Sequence, residues 1–262
     1  MTAAAASFDP RTTLARPDLA EQALEGVVRA KAYRAPARMH CARPVVDIRA
    51  AAEPEADRLD QLIHGEAFEV LDQVAGQVWG RAARDGVVGW VDAAALADGA
   101  PLPTHRIVVR DAALPLNAFV ATAAPEAGLA EVGQFEQDPV AVAERLLGVP
   151  HELGARSSLS TDCSGLVQQC LYACGLAGPR YADQQAELGD SIARDQLRRG
   201  DLVIWLHSTG GDNWTGHSAL ALDAANIIHA TGHHGAVVIE PLVEAEARYA
   251  AGGFEAPVFR RL

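Results

Sequence analysis

Residues 160–175 read STDCSGLVQQCLYACG. Cys163, Leu166, Val167, Cys170, Leu171 and Cys174 recur at helical spacing, so one face of the predicted helix is apolar. Gly175 suits the helix end, and Ser160, Thr161 and Asp162 supply polar side chains where an N-cap belongs. Cys163 therefore falls in the first turn. The unpaired amides and positive dipole end there favour a thiolate. The same amides suit an oxyanion formed when that sulfur attacks a carbonyl. Cys170 and Cys174 are expected to pack as small apolar residues.

A nucleophilic thiol needs a base, and the base needs an orienting group. Thr215-Gly216-His217-Ser218 opens an apolar strand, and His229 lies near the end of the next one, twelve residues on. Adjacent antiparallel strands would bring the two histidines side by side. His233 and His234 fall in a turn and receive no role. A zinc site on the three clustered cysteines and a histidine is the competing reading. The i, i+7, i+11 spacing suits tetrahedral ligation poorly and no Cys-x-x-Cys occurs. No metal or other cofactor is expected.

Around this segment, residues 139–147 read as a helix capped by Asp138, with Pro139 at its first position and Gly148 closing it. DLVIWL, SALALD, NIIHAT and AVVIEPL read as buried strands, and 242–251 as a last helix. Residues 135–262 thus read as an α+β catalytic domain. Upstream, VVDIR, EAFEVLDQV, VWGRAA and VVGWV are short strands punctuated by Gly65, Gly76, Gly80 and Asp85-Gly86, which predicts a small barrel over 45–99. HRIVVR and NAFVATA suggest a second, poorer barrel over 100–134. Residues 17–30 look helical, giving an N-terminal helical strap over 1–44.

The 262-residue chain carries 22 basic and 34 acidic side chains, a net charge of −12, and a single lysine, Lys31. With 49% apolar and 21% charged residues it can bury a sizeable core. The acidic balance argues against nucleic acid or an anionic membrane as partner. No run approaches the ~18 apolar residues of a membrane span. The first twenty residues lack the pattern of a secretory signal. The four cysteines show no disulfide framework, so a cytoplasmic protein is expected. Oligomeric state is not legible.

The words Asp162-Cys163-Ser164-Gly165-Leu166-Val167, Gly200-Asp201-Leu202-Val203, Gly216-His217 and His229-Ala230, in this order and spacing, resemble the NlpC-type cell-wall cysteine peptidases. The segment from Asp57 to Leu96, with Gly65-Glu66 and Gly89-Trp90-Val91, resembles a bacterial SH3 domain. The resemblance implies an α+β, papain-like peptidase domain preceded by one or two SH3-like β-barrels. It implies Cys163 as nucleophile, His217 as base and His229 as the polar group orienting it. It further implies cleavage of γ-D-glutamyl–diamino acid bonds in murein peptides with a free N-terminal L-Ala, and the missing signal pattern fits intracellular recycling of such peptides.

Three positions differ from the family's words. His151 stands where a tyrosine is expected near the active site, Tyr181 where an aspartate would bind the substrate amine, and Val87 where an SH3 aromatic is expected. Asp183 lies close to Tyr181. Glu66, reaching over from the SH3 domain, is the remaining candidate for the amine; Arg156 and Arg180 are candidates for the glutamyl carboxylate, and Ser164 lies beside the nucleophile. The 206–216 insertion is a candidate lid. Two alternatives stay open: an amidase or acyltransferase of the same fold on another substrate, and a degenerate peptidase that binds a peptide without cutting it.

Overall fold

The computed structural model describes residues 8–122, 127–207 and 215–262. Strands β1 (Leu19–Glu21) and β2 (Ala32–Arg34) pair in parallel. Seven strands follow: β3 (Ala37–Cys41), β4 (Val45–Arg49), β5 (Arg58–Ile63), β6 (Ala67–Val74), β7 (Gln77–Ala82), β8 (Val88–Asp92) and β9 (Leu96–Asp98). They form one sheet in the order β5-β4-β8-β7-β6-β3-β9. Short strands β10 (His105–Ile107), β11 (Phe119–Val120) and β12 (Leu129–Glu131) make a separate sheet, ordered β11-β10-β12.

Helices α1 (Pro139–Arg145), α2 (Cys163–Ala173) and α3 (Ala182–Gln185) precede β13 (Asp190–Ser191), β14 (Leu202–Leu206), β15 (Gly216–Ala221), β16 (Asn226–Thr231) and β17 (Ala236–Pro241). Helix α4 (Leu242–Ala251) and β18 (Val258–Arg261) end the chain. The six strands β13 to β18 run in the order β13-β18-β14-β15-β16-β17, antiparallel throughout.

Asp138 caps α1 as its sequence asks, accepting from Val140 N at 2.9 Å, and Gly148 takes φ 77° after the helix. Every residue of α2 is buried. Its apolar face (Leu166, Val167, Cys170, Leu171) packs on Leu202, Ile204, Leu220 and Ile228 of the sheet. Each such aliphatic side chain removed from water stabilises the fold by about 1.5–3 kcal/mol. A Cβ on Gly165 would lie 2.4 Å from Ala155 O, so only glycine lets the start of α2 approach that segment.

Residues 17–30 are not the helix their composition suggested. They hold β1 and a 3-10 turn at Gln22–Leu24. Tertiary burial overrides local propensity here: Leu19 packs with Leu71, Trp79 and Val88, and Glu21 is held by Arg81 at 2.6 Å. Strand β5 was absent from the sequence reading because its buried Asp60 and Gln61 break the expected alternation.

Candidate active site

Cys163 opens α2. The Asp162 cap accepts from Gly165 N at 2.7 Å and is itself gripped by Arg180, Nη2 to Oδ2 at 2.6 Å. Cys163 is 8% exposed, and its Sγ lies 4.0 Å from Gly216 O. The thiol therefore sits against the start of the strand that carries His217. Burial, reinforced by the Asp162 carboxylate, pushes this thiol up to about 12. The helix end favours a thiolate, and desolvation of the buried sulfur opposes it.

Strands β15 and β16 pair antiparallel and bring the two histidines together: His217 Nε2 lies 2.7 Å from His229 Nδ1. With Nε2 of His217 occupied, Nδ1 is the ring nitrogen left for the thiol. Burial, then the neighbouring His229 ring, hold His217 well below the usual histidine range, and burial lowers His229 too. Both imidazoles rest neutral. Tyr249 of α4 stacks on His217 with centroids 4.4 Å apart, and Trp205 flanks it at 5.8 Å.

The groups behind His229 carry no motif in the sequence. His229 Nε2 lies 2.8 Å from Glu240 Oε1, in a bent rather than linear approach. Glu240 is in turn clasped by Arg248, with Nη1 3.0 Å from Oε2 and Nη2 against Oε1. The available signal was the β16–β17 hairpin. His229 faces Val238 in that register, so Glu240 lies two residues along on the same face. Tyr249 gave no signal, because its meeting with His217 depends on how α4 packs.

The thiol opens onto a cavity of about 450 Å³. One wall is Leu153, Gly154, Arg180, Tyr181 and Thr215; the other is the β4–β5 region, including Asp47, Arg49, Glu55, Asp57 and Arg58. The site is thus shared between the two large sheets' domains.

Several residues expected to read substrate are engaged elsewhere. Glu66 is buried: Oε2 accepts from Arg156 Nη2 at 2.6 Å and Ile63 N at 2.9 Å, while Oε1 accepts from Arg84 at 2.8 Å. It does not reach the cavity. Arg156 is fully buried, and its Nε donates to Asp60 Oδ1 at 3.0 Å. Arg180 lines the cavity, but its guanidinium donates to Asp60, Asp162 and Ser164. That last bond uses the Ser164 hydroxyl. These side chains weld the seven-stranded sheet to the start of α2, an ionic network a sequence cannot display.

Asp183 is held by Arg11 at 2.7 Å, and Arg11 also lies over the Tyr181 ring at 4.5 Å. Tyr181 packs into the core of the seven-stranded sheet, with its hydroxyl unpartnered among the described residues. His151 is half-buried, bridges Thr161, and is lowered by burial. The candidate lid at 206–216 falls largely outside the described residues. Val87, where an aromatic was expected, is fully buried in the seven-stranded sheet's core.

Comparison with known proteins finds relatives for two parts of the chain. Residues 148–251 match the NlpC/P60 family and residues 48–96 the bacterial dipeptidyl-peptidase SH3 domain. The chain is 33% identical over 92 residues to a murein DD-endopeptidase/murein LD-carboxypeptidase of Escherichia coli, covering 35% of this chain and 47% of that protein. It is 28% identical over 105 residues to a γ-D-glutamyl-L-lysine dipeptidyl-peptidase of Bacillus cereus, covering 40% and 31%. The chain thus spans less than half the length of these curated relatives. The fold matches the crystal structure of an NlpC/P60 family protein from Bacillus cereus with a TM-score of 0.69 at 16% identity, over 86% of this chain and 99% of that one. Residues 148–251 are an NlpC/P60 domain, of a family of cysteine-type hydrolases, and a bacterial dipeptidyl-peptidase SH3 domain precedes them at 48–96.

Proposed function

We propose that this protein is a cysteine peptidase that hydrolyses murein peptides at the γ-D-glutamyl–diamino acid bond. The observation that carries the reading is Cys163 at the head of α2, open to a cavity and set against the His217 strand, whose imidazole is tied to His229. His217 takes the thiol proton as Cys163 Sγ attacks the amide carbonyl, and the first-turn amides of α2 receive the oxyanion. The proton passes to the leaving amine. Water, deprotonated by His217, then hydrolyses the thioester. The cavity's mixed lining, with Asp47, Glu55 and Asp57 beside Arg49 and Arg58, suits a small zwitterionic peptide. The relatives named for activity on murein and as a γ-D-glutamyl-L-lysine dipeptidyl-peptidase support the same reading.

A role in cytoplasmic recycling of such peptides belongs to the same proposal; all four cysteines are free thiols, which a reducing compartment favours. No described helix is long and apolar enough to cross a membrane. A second reading, an amidase or acyltransferase on another acyl amide, is favoured by one observation. Glu66 and Asp183, the expected ligands of the substrate amine, are both paired with arginines.

Incubation with L-Ala-γ-D-Glu-meso-diaminopimelate, followed by mass spectrometry, tests the first reading. Release of L-Ala-D-Glu by the wild type and not by Cys163→Ala is expected. Release of nothing, with activity on unrelated acyl amides that Cys163→Ala lacks, would establish the second.

A further inference from the structure

We propose that Glu240 is a positioning residue that sets the proton arrangement of the histidine pair, so that His217 presents an unprotonated Nδ1 to Cys163. The inference rests on the cysteine-hydrolase reading of Cys163 and His217. A bare ring nitrogen this close to a carboxylate would set lone pair against lone pair, so even off the hydrogen-bond line the nitrogen facing it keeps the proton. That nitrogen is His229 Nε2, 2.8 Å from Glu240 Oε1. Neutral His229 then has a bare Nδ1. Across the 2.7 Å contact, His217 Nε2 must be the donor. Neutral His217 consequently has a bare Nδ1, the nitrogen that can take a thiol proton.

Without an acceptor at 240, the pair has a second arrangement. His229 would carry its proton on Nδ1, His217 would accept it at Nε2, and the His217 proton would sit on Nδ1, where it blocks catalysis. Glu240 discriminates between the two. Its own state is fixed by Arg248, which clasps both oxygens, and by His234 Nε2 at 3.4 Å. Glu240 is 6% exposed, so water does not dilute its influence.

The proton inventory is closed. The Cys163 S–H proton moves to His217 Nδ1 and leaves with the amine. The Nε2 protons of His217 and His229 stay on their rings, and Glu240 remains a carboxylate. While His217 is an imidazolium, the Glu240 charge stabilises it through His229. Cys163, His151, His234, Tyr249 and Arg248 also surround the pair, and Glu240 is the carboxylate that bears on both rings.

Two measurements test this. The first is the histidine side-chain nitrogen spectrum of Cys163→Ala, which needs no turnover and therefore stands apart from the peptidase reading. His229 and His217 should each show a protonated Nε2 and a bare Nδ1, and adding Glu240→Gln should mix or reverse the two tautomers. A protonated Nδ1 on His217 with Glu240 intact, or spectra indifferent to Glu240→Gln, would overturn the proposal. The second is kinetic, on whichever amide the wild type cleaves. Glu240→Gln should lower kcat by about tenfold or more with KM little changed, and move the acid limb of the pH profile to lower pH. Glu240→Asp should recover part of the loss. An unchanged pH profile, or equal losses in Gln and Asp variants, would reduce Glu240 to a merely structural role.

Discussion

Arg156 of the NlpC/P60 domain is fully buried with its Nη2 2.6 Å from Oε2 of Glu66 in the SH3 domain. Asp60 binds the same guanidinium at 3.0 Å and also Arg180 at 2.7 Å. Removing one partner of such a pair leaves an uncompensated buried charge, which costs about 3–5 kcal/mol. Glu66→Ala is therefore expected to lower the unfolding free energy by about that amount, read by urea denaturation. An unchanged denaturation midpoint with a raised KM would instead return Glu66 to substrate binding.

Cys163→Ala should reduce turnover by at least about 10⁴-fold, since nucleophile and base act as a unit. The thermal transition should stay within a few degrees of the wild type, because alanine suits the head of a helix and the Sγ contact to Gly216 O is long, 4.0 Å. Residual turnover near the wild-type level would remove Cys163 from the reaction.

Burial pushes the Cys163 thiol up to about 12 and holds His217 well below the usual histidine range, so both shifts oppose a resting thiolate–imidazolium pair. Alkylation of Cys163 by iodoacetamide in the free protein should be slow at pH 6–7 and climb steadily into the alkaline range. Rapid labelling at pH 6, faster than that of the unfolded chain, would mean that an ion pair forms before substrate arrives.

The same groups set the acid stability. His217 and His229 titrate lower in the folded state than the ordinary ~6.5, so below that value the unfolded chain binds more protons. Their contribution is intact above the unfolded value and is lost as pH falls through the window below it, at up to about 1.4 kcal/mol per pH unit per histidine. Glu240, held low through burial offset by its bonds to His229 and Arg248, adds a loss of the same sign below about 4.5. Urea midpoints between pH 7.5 and 5 should fall steadily in the wild type and fall less in His229→Gln. A flat wild-type profile would show that the histidines are not buried neutral.

Much of the site was legible in the sequence because its signals are local. The Asp162-Cys163 cap and the apolar strands carrying His217 and His229 each follow from spacing and residue type within one segment. Their pairing needed only adjacent antiparallel strands. What the sequence could not determine was which charges meet. Glu66, Arg156, Arg180 and Asp183 look equally free on the page. Tertiary structure puts the first three into a buried ionic network and ties the last to Arg11, and it places Glu240, Arg248 and Tyr249 behind the histidines. The physical reason is that an ion pair and a ring stack depend on distances between segments far apart in the chain. Helix and strand periodicity depend only on near neighbours.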